Sequence, residues 1–308
     1  MKVKKFNTPI LLITFRRPEH TLKILSQIKE INPKILYIIS DGYLNSKHKD
    51  QVLKTRKIID SIKWCVVKKK FLQSNIGLKH IGKKAIDWIF EKNVKAIILE
   101  DDTLPSKSFF SFCEELLNKY KYDKRISQIS GSNLLIKYKR RNNDSYFFSK
   151  YSNIWGWATW KDRWNDYDIK MKNWNEFKKD KWINDLTTYQ KEKSWWMKMF
   201  KIAYKKINYN DWDYQWTFTN FINNRMSIVP SKNLISNIGY DNPTGNFAKK
   251  YNSLPLNNLK FPLKHPNIFL TDKKSDEILM EGAYSTPKLK YRLKNKLIKI
   301  LRIIKNER

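Results

Sequence analysis

Ala96-Ile-Ile-Leu99, running directly into Glu100-Asp101-Asp102, is the stretch on which the reading of this chain turns. A short, β-branched apolar run of this kind predicts a strand buried on both faces. It delivers three successive carboxylates at its carboxyl end. Carboxylates withdrawn from water are costly unless something cationic neutralises them. A divalent metal chelated by a diphosphate would do so, and hard oxygen ligands suit Mg2+ or Mn2+. The plainer reading is an acidic turn ahead of a helix, with Thr103 and Ser106 as ordinary cap residues.

Outward from that strand, the first 130 residues alternate strand and helix. Residues 9–15 form a continuous apolar run that stops at Arg16-Arg17-Pro18 and predicts the first strand. A helix is expected over 19–31, with Leu22, Leu25 and Ile28 inward. Strands are expected at 35–39, ending in Ser40-Asp41-Gly42, at 64–67 and at 126–130. Helices are expected over 49–62, over 77–91 with Ile81, Ala85, Trp88 and Ile89 inward, and over 106–120. This alternation predicts an α/β fold with a mostly parallel central sheet flanked by helices. In such sheets ligands bind beyond the carboxyl ends of the strands. Arg16-Arg17, Asp41 and the acidic triplet all fall there.

Past residue 140 the texture changes. Trp155-Gly-Trp157-Ala-Thr-Trp160, Trp195-Trp196 and Trp212-Asp-Tyr-Gln-Trp216 concentrate aromatic residues, with helices expected over 191–207 and 214–223 and a strand at 226–229. Residues 241–287 are proline-bearing and weakly periodic, hence loop-rich. Residues 288–308 place Leu289, Leu293, Leu297, Ile300, Leu301 and Ile304 at helical spacing among lysines and arginines. Such a basic amphipathic helix can lie on an anionic bilayer or dock on its own domain. Four segments result: 1–140, 141–250, 251–287 and 288–308.

Composition narrows the class. Hydrophobic content of 41% with 14% aromatics over 308 residues suffices for a packed core and argues against wholesale disorder. No run of about 18 apolar residues predicts a membrane span. The opening apolar segment, without a small-residue cleavage site, reads as a strand and not as a signal peptide. Cys65 and Cys113 lie in apolar runs, as buried thiols of a reducing compartment do. A cytoplasmic protein is expected. The net charge of +33 invites polyanions, but the lysines are dispersed along the chain and an AT-rich genome would give the same excess.

The individual site candidates each have a bland reading: Asp41-Gly42 as a turn, Arg17 as surface charge, His80 as a solvated helix residue, Asp213 as a helix N-terminal carboxylate among core tryptophans. Their order along the chain carries more. The run at 9–15 with Arg-Arg-Pro, Ser40-Asp41-Gly42, Asn75-Ile-Gly77-Leu-Lys-His80, Leu99-Glu-Asp-Asp102, Asn153-Ile-Trp-Gly-Trp-Ala-Thr-Trp160 and Trp212-Asp-Tyr-Gln-Trp216 together resemble the GT-A glycosyltransferases. The likeness, over roughly residues 8–240, is to bacterial family-2-like sugar transferases and to the N-acetylglucosaminyltransferase that initiates complex N-glycans.

That resemblance implies a GT-A fold and an inverting, metal-dependent transfer from a nucleotide-sugar, a UDP-sugar by preference. It implies Asp102 as ligand to Mn2+ or Mg2+, Asp101 at the ribose or a metal-bound water, and Glu100 at the donor sugar or ribose. It implies Asp41 at the base, Arg17 or Arg16 at the nucleotide, His80 near the donor phosphates, and Asp213 as catalytic base with Asp211 as a neighbouring substitute. The implied acceptor is a bacterial surface glycan or its lipid-linked precursor, which residues 288–308 would approach at the inner face of the cell membrane if that helix lies on the bilayer and not on its own domain. One departure stands out. Ser236-Asn-Ile-Gly239 lacks the histidine-bearing segment that often follows in bacterial relatives, leaving Asp241 or Thr244 as replacements. Other classes remain in view: a nucleic-acid-binding protein, or a sugar-nucleotide-binding module without turnover. A sugar-nucleotide pyrophosphorylase would need a glycine-rich loop where Thr14-Phe-Arg-Arg-Pro18 stands.

Overall fold

A computed structural model describes residues 5–136, 138, 140, 142–205, 211–239 and 251–282. The segment expected at 288–308, and Asp241 and Thr244, lie outside the described residues. The first half runs β1 (Ile10–Thr14), α1 (Pro18–Glu30), β2 (Ile35–Ser40), α2 (Ser46–Asp60), β3 (Val66–Phe71), α3 (Leu78–Phe90), β4 (Lys95–Glu100), β5 (Thr103–Pro105), α4 (Lys107–Lys119) and β6 (Ile126–Ser130). Then follow β7 (Tyr146–Ser149), β8 (Trp157–Trp160), α5 (Lys161–Trp164), α6 (Trp174–Lys179), α7 (Ile183–Leu186), α8 (Gln190–Lys205), α9 (Asp213–Ile222), β9 (Met226–Pro230), β10 (Ile235–Asn237) and α10 (Lys273–Gly282).

Among the described residues the main sheet has the order β3-β2-β1-β4-β8-β6-β9-β7. β3, β2, β1 and β4 are mutually parallel. β8 lies antiparallel to both β4 and β6, and β7 antiparallel to β9. The remaining strands all run one way, so the sheet is mostly parallel. β1 is buried along its whole length, as the unbroken apolar run requires of a strand covered on both faces. On one face Ile10, Leu12, Leu36, Ile38, Ile97 and Leu99 meet Ile24 and Ile28 of α1 and the phenylalanines of α4. On the other, Leu11, Ile13, Tyr37, Ile39, Ile98 and Trp157 meet α3, Trp212 and Trp216 of α9.

Several elements differ from expectation for identifiable reasons. Leu22 is 52% exposed, and Thr21 takes the buried position on α1, its hydroxyl donating to the Arg17 carbonyl at 2.8 Å. β3 runs past the apolar stretch into Lys68-Lys69-Lys70, because it is the edge strand and charged side chains there face water. β8 had no sequence signal of its own. Trp-Ala-Thr-Trp lies buried in mid-sheet, where tryptophans pack against both layers. No helix of the described residues is long and apolar enough to cross a membrane.

Candidate functional site

β4 ends at Glu100, and the turn after it is locked by Thr103, whose hydroxyl donates to the Glu100 carbonyl and accepts from the Glu100 N–H, both at 2.9 Å. β1 ends alongside. The Phe15 N–H donates to Asp101 Oδ2 at 2.8 Å, tying the two strand ends together. Arg17 Nη1 lies 2.8 Å from Asp101 Oδ1 and 2.9 Å from Asp102 Oδ2. β10 closes the third side by pairing with β5, and the Ile238 N–H donates to the Asp102 carbonyl at 2.8 Å. Gly239 then sits so tightly on Asp102 that a Cβ there would fall 2.3 Å from Oδ2. Sequence alone gave no hint of this need for glycine.

Asp41, at the end of β2, is buried, and its carboxylate accepts from the N–H groups of Gly42 (2.9 Å), Ile76 (3.0 Å) and Gly77 (3.2 Å). It fastens the loop that opens α3. A carboxylate offers about four acceptor positions. Three are used here, and the fourth remains for a ligand N–H. Burial raises the Asp41 carboxyl above its ordinary range, against the three N–H donors and Arg56.

Two cavities adjoin at this edge. The smaller, about 340 Å³, is lined by Thr14, Phe15, Asp41, Asn75, Gly77 and Asp101 among others. The larger, about 550 Å³, is lined by Ser132, Asn153, Trp155, Trp195, Asp211, Asp213 and Tyr214 among others. Arg17, Leu78, Glu100 and Asp102 line both. The structure therefore brings Arg17, Asp41, Glu100, Asp101 and Asp102 to one cavity, with Asp211 and Asp213 across the next. His80 is exposed and lines neither. Its neighbour Lys79 is the inward basic residue of that helix start. With the Gln215 amide turned so that its nitrogen donates to the Trp212 carbonyl, its oxygen lies 2.8 Å from Lys79 Nζ.

The tryptophans divide by role. Trp212 and Trp216 are core residues: Trp212 stacks on Trp157 at 5.6 Å, and Trp216 Nε1 donates to Gln128 Oε1 at 2.6 Å. They anchor α9, while half-buried Trp155 and Trp195 line the cavity.

Electrostatics sets this edge apart. Burial, then Asp102, Asp101, Asp211 and Asp213, push the Glu100 carboxyl well above its usual range. Burial and then Asp101 raise Asp102 to about 6, against the pull of Arg17. Burial raises Asp211. Burial opposes the charge on Arg17, yet the two aspartates outweigh it and hold the guanidinium above its ordinary value. Negative charge here is under-compensated.

Among the described residues no group of three or more His, Cys, Asp or Glu is arranged to hold a metal by itself. Asp102 nonetheless has a buried Oδ1 without a hydrogen-bond partner. Mg2+-type cations are commonly held by one or two carboxylates plus substrate phosphates. The residues fit a cation that arrives with a diphosphate.

No protein-family model matches the chain, and no curated protein matches it. Among solved structures, the chain is similar to the mannosyltransferase PcManGT from Pyrobaculum calidifontis in complex with GDP-Man and Mn2+, at 10% identity and a TM-score of 0.37. That match covers 51% of this chain and 45% of the mannosyltransferase, less than half its length. It is also similar to an apo UDP-glucose pyrophosphorylase, at 11% identity and a TM-score of 0.34, over 74% of this chain and 93% of that one. Likenesses this slight assign neither a fold family nor an activity.

Proposed function

We propose that the chain is a glycosyltransferase of the GT-A type that uses a nucleotide-sugar, a UDP-sugar by preference, with Mn2+ or Mg2+, and inverts the anomeric centre. One observation carries this reading. Arg17, Glu100 and Asp102 form the shared wall between a cavity holding Asp41 and a cavity holding Asp213 and the half-buried Trp155 and Trp195. The first suits a nucleoside diphosphate, since Asp41 keeps one acceptor position for a base N–H and Arg17 can meet phosphate. The second suits a sugar and its acceptor, since half-buried aromatic rings beside polar groups stack on sugar faces.

In this reading Asp102 would hold the cation, with Glu100 and Asp101 at its flank. The cation, when bound, supplies positive charge for the departing diphosphate. Asp213 takes the proton of the acceptor hydroxyl as that oxygen bonds to the anomeric carbon and the bond to the diphosphate breaks. Asp213 starts α9, and Trp212 just before it and Trp216 within it are buried in the core, so its carboxylate is held on a packed element. His80, exposed and outside the lining of both cavities, is given no role in this reading. The acidic wall also disfavours a nucleic-acid backbone in these cavities. The acceptor we propose is a bacterial surface glycan or lipid-linked precursor, reached from the cytoplasmic face of the membrane with the help of residues 288–308.

The test is to screen UDP-, GDP- and dTDP-sugars with Mn2+ for transfer or hydrolysis, then to repeat the productive case with Asp213→Asn. Turnover should fall by about 10³-fold or more, with nucleotide binding retained. Retained turnover would move the base elsewhere, and binding without turnover in both proteins would favour a non-catalytic sugar-nucleotide module.

A further inference from the structure

The acidic edge holds an internal cation already. Arg17 Nη1 contacts Asp101 and Asp102 at once, and the Asp102 oxygen it contacts is the one packed against Gly239. The other Asp102 oxygen is buried and without a hydrogen-bond partner. Oδ2 is thus held by Arg17, and a cation reaching the unpartnered Oδ1 would stand beside that guanidinium while Arg17 keeps this position. The two aspartates differ in what remains if Arg17 leaves. Asp101 still accepts from the Phe15 N–H, whereas Asp102 loses its cationic partner. Arg17 has somewhere to go: its side chain is 38% exposed and lines both cavities. A guanidinium is well matched to phosphate oxygens, which it can grip with two parallel N–H bonds.

We propose, resting on the nucleotide-sugar reading above, that Arg17 is a displaceable counter-ion. It neutralises Asp101 and Asp102 in the donor-free protein, and a divalent cation takes its place at Asp102 while the guanidinium turns to the donor's diphosphate. Before binding, one guanidinium offsets one of the two aspartate charges; afterwards the divalent cation offsets both, and Arg17 offsets part of the phosphate charge. Cation and nucleotide binding are consequently coupled through one side chain. A cation alone must compete with Arg17, and a cation with its diphosphate gives Arg17 a new partner.

Thermal melts of the full chain read this without turnover. Wild type, Arg17→Met and Arg17→Lys are compared alone, with Mn2+, with UDP, and with both. Without ligand, Arg17→Met should melt lower than wild type, because two close carboxylates lose their counter-ion. Mn2+ alone should raise the melting temperature of Arg17→Met clearly and of wild type only slightly, since ligand that binds the folded state stabilises it. UDP with Mn2+ should shift wild type the most. Arg17→Lys, which keeps one charge but not the planar fork, should fall between the two and guards against a Met variant that fails to fold. Equal Mn2+ shifts in wild type and both variants would overturn the exchange while leaving the cation site standing. No response to Mn2+ in any protein, with or without UDP, would overturn the exchange and the metal-dependent reading together.

Discussion

Two groups of carboxylates are withdrawn from water in this molecule, and they are treated differently. Glu192 on α8 and Asp276 on α10 lie beneath the aromatic half. Glu192 Oε1 accepts from the Tyr151 hydroxyl and from Lys150 Nζ, both at 2.7 Å, and its Oε2 accepts from the Thr187 hydroxyl at 2.6 Å. Asp276 accepts from the Ser149 hydroxyl at 2.5 Å and the Lys150 N–H at 3.2 Å. At the β4 edge, by contrast, Asp102 keeps a buried, unpartnered oxygen, and burial and four acidic neighbours push the Glu100 carboxyl up. Buried carboxylates supplied with internal donors hold a fold together; carboxylates left short of donors are built for something that arrives later. α8 joins the two regions, since Glu192 is one turn from Trp195, which faces the larger cavity.

That contrast can be broken at either end. The largest expected effect is at the under-compensated edge. Asp102→Asn should weaken cation-dependent nucleotide binding by about 100-fold or more while the melting temperature stays within about 2 °C, because one of several crowded like charges is removed. Calorimetric titration with Mn2+ and nucleotide, beside a thermal melt, reads both. Glu192→Ala should do the reverse. It strands Lys150, Tyr151 and Thr187 and should cost about 3 kcal/mol in denaturant unfolding, with nucleotide affinity unchanged. Equal behaviour of the two variants would erase the distinction.

A smaller effect is expected where the core supports the site. A Cβ at Gly82 would meet Trp212 Cδ1 at 2.4 Å and Nε1 at 2.6 Å, and that indole is held by its stack on Trp157. Gly82→Ala should cost about 1–3 kcal/mol and displace the neighbouring Asp213, lowering turnover more than donor affinity. Steady-state kinetics with an unfolding curve would check it. The last effect is a pH slope. Burial lifts the Asp276 carboxyl to about 7, so the folded chain binds its proton more tightly than the unfolded chain does. Stability from this group is therefore greatest at low pH and falls as pH rises from about 4 to about 7, by at most about 1.4 kcal/mol per pH unit. Asp276→Asn should flatten that part of the curve. A slope that survives in the variant would assign it to other groups.

The parts of this picture that sequence could carry were local ones. The apolar runs at β1, β2 and β4 dictate buried parallel strands, and the acidic triplet and Asp41 follow directly from where those strands end. What could not be read depends on partners distant in sequence. β8 is a strand because β4 and β6 flank it, not because Trp-Ala-Thr-Trp alternates. Trp212 and Trp216, on either side of Asp213, are core because Trp157 and Gln128 meet them. Gly239 is required by Asp102, and Glu192 is satisfied by residues on two separate segments. Inward Lys79 and outward His80 differ by one helical step, about 100°, which a motif match does not resolve.

The most direct measurement is a titration of UDP-, GDP- and dTDP-sugars into wild type and Asp102→Asn, with and without Mn2+. One nucleotide class should bind wild type only with the cation, and Asp102→Asn should lose this binding while remaining folded. Binding that ignores both the cation and Asp102, or no binding by any donor, would contradict the cation-dependent reading.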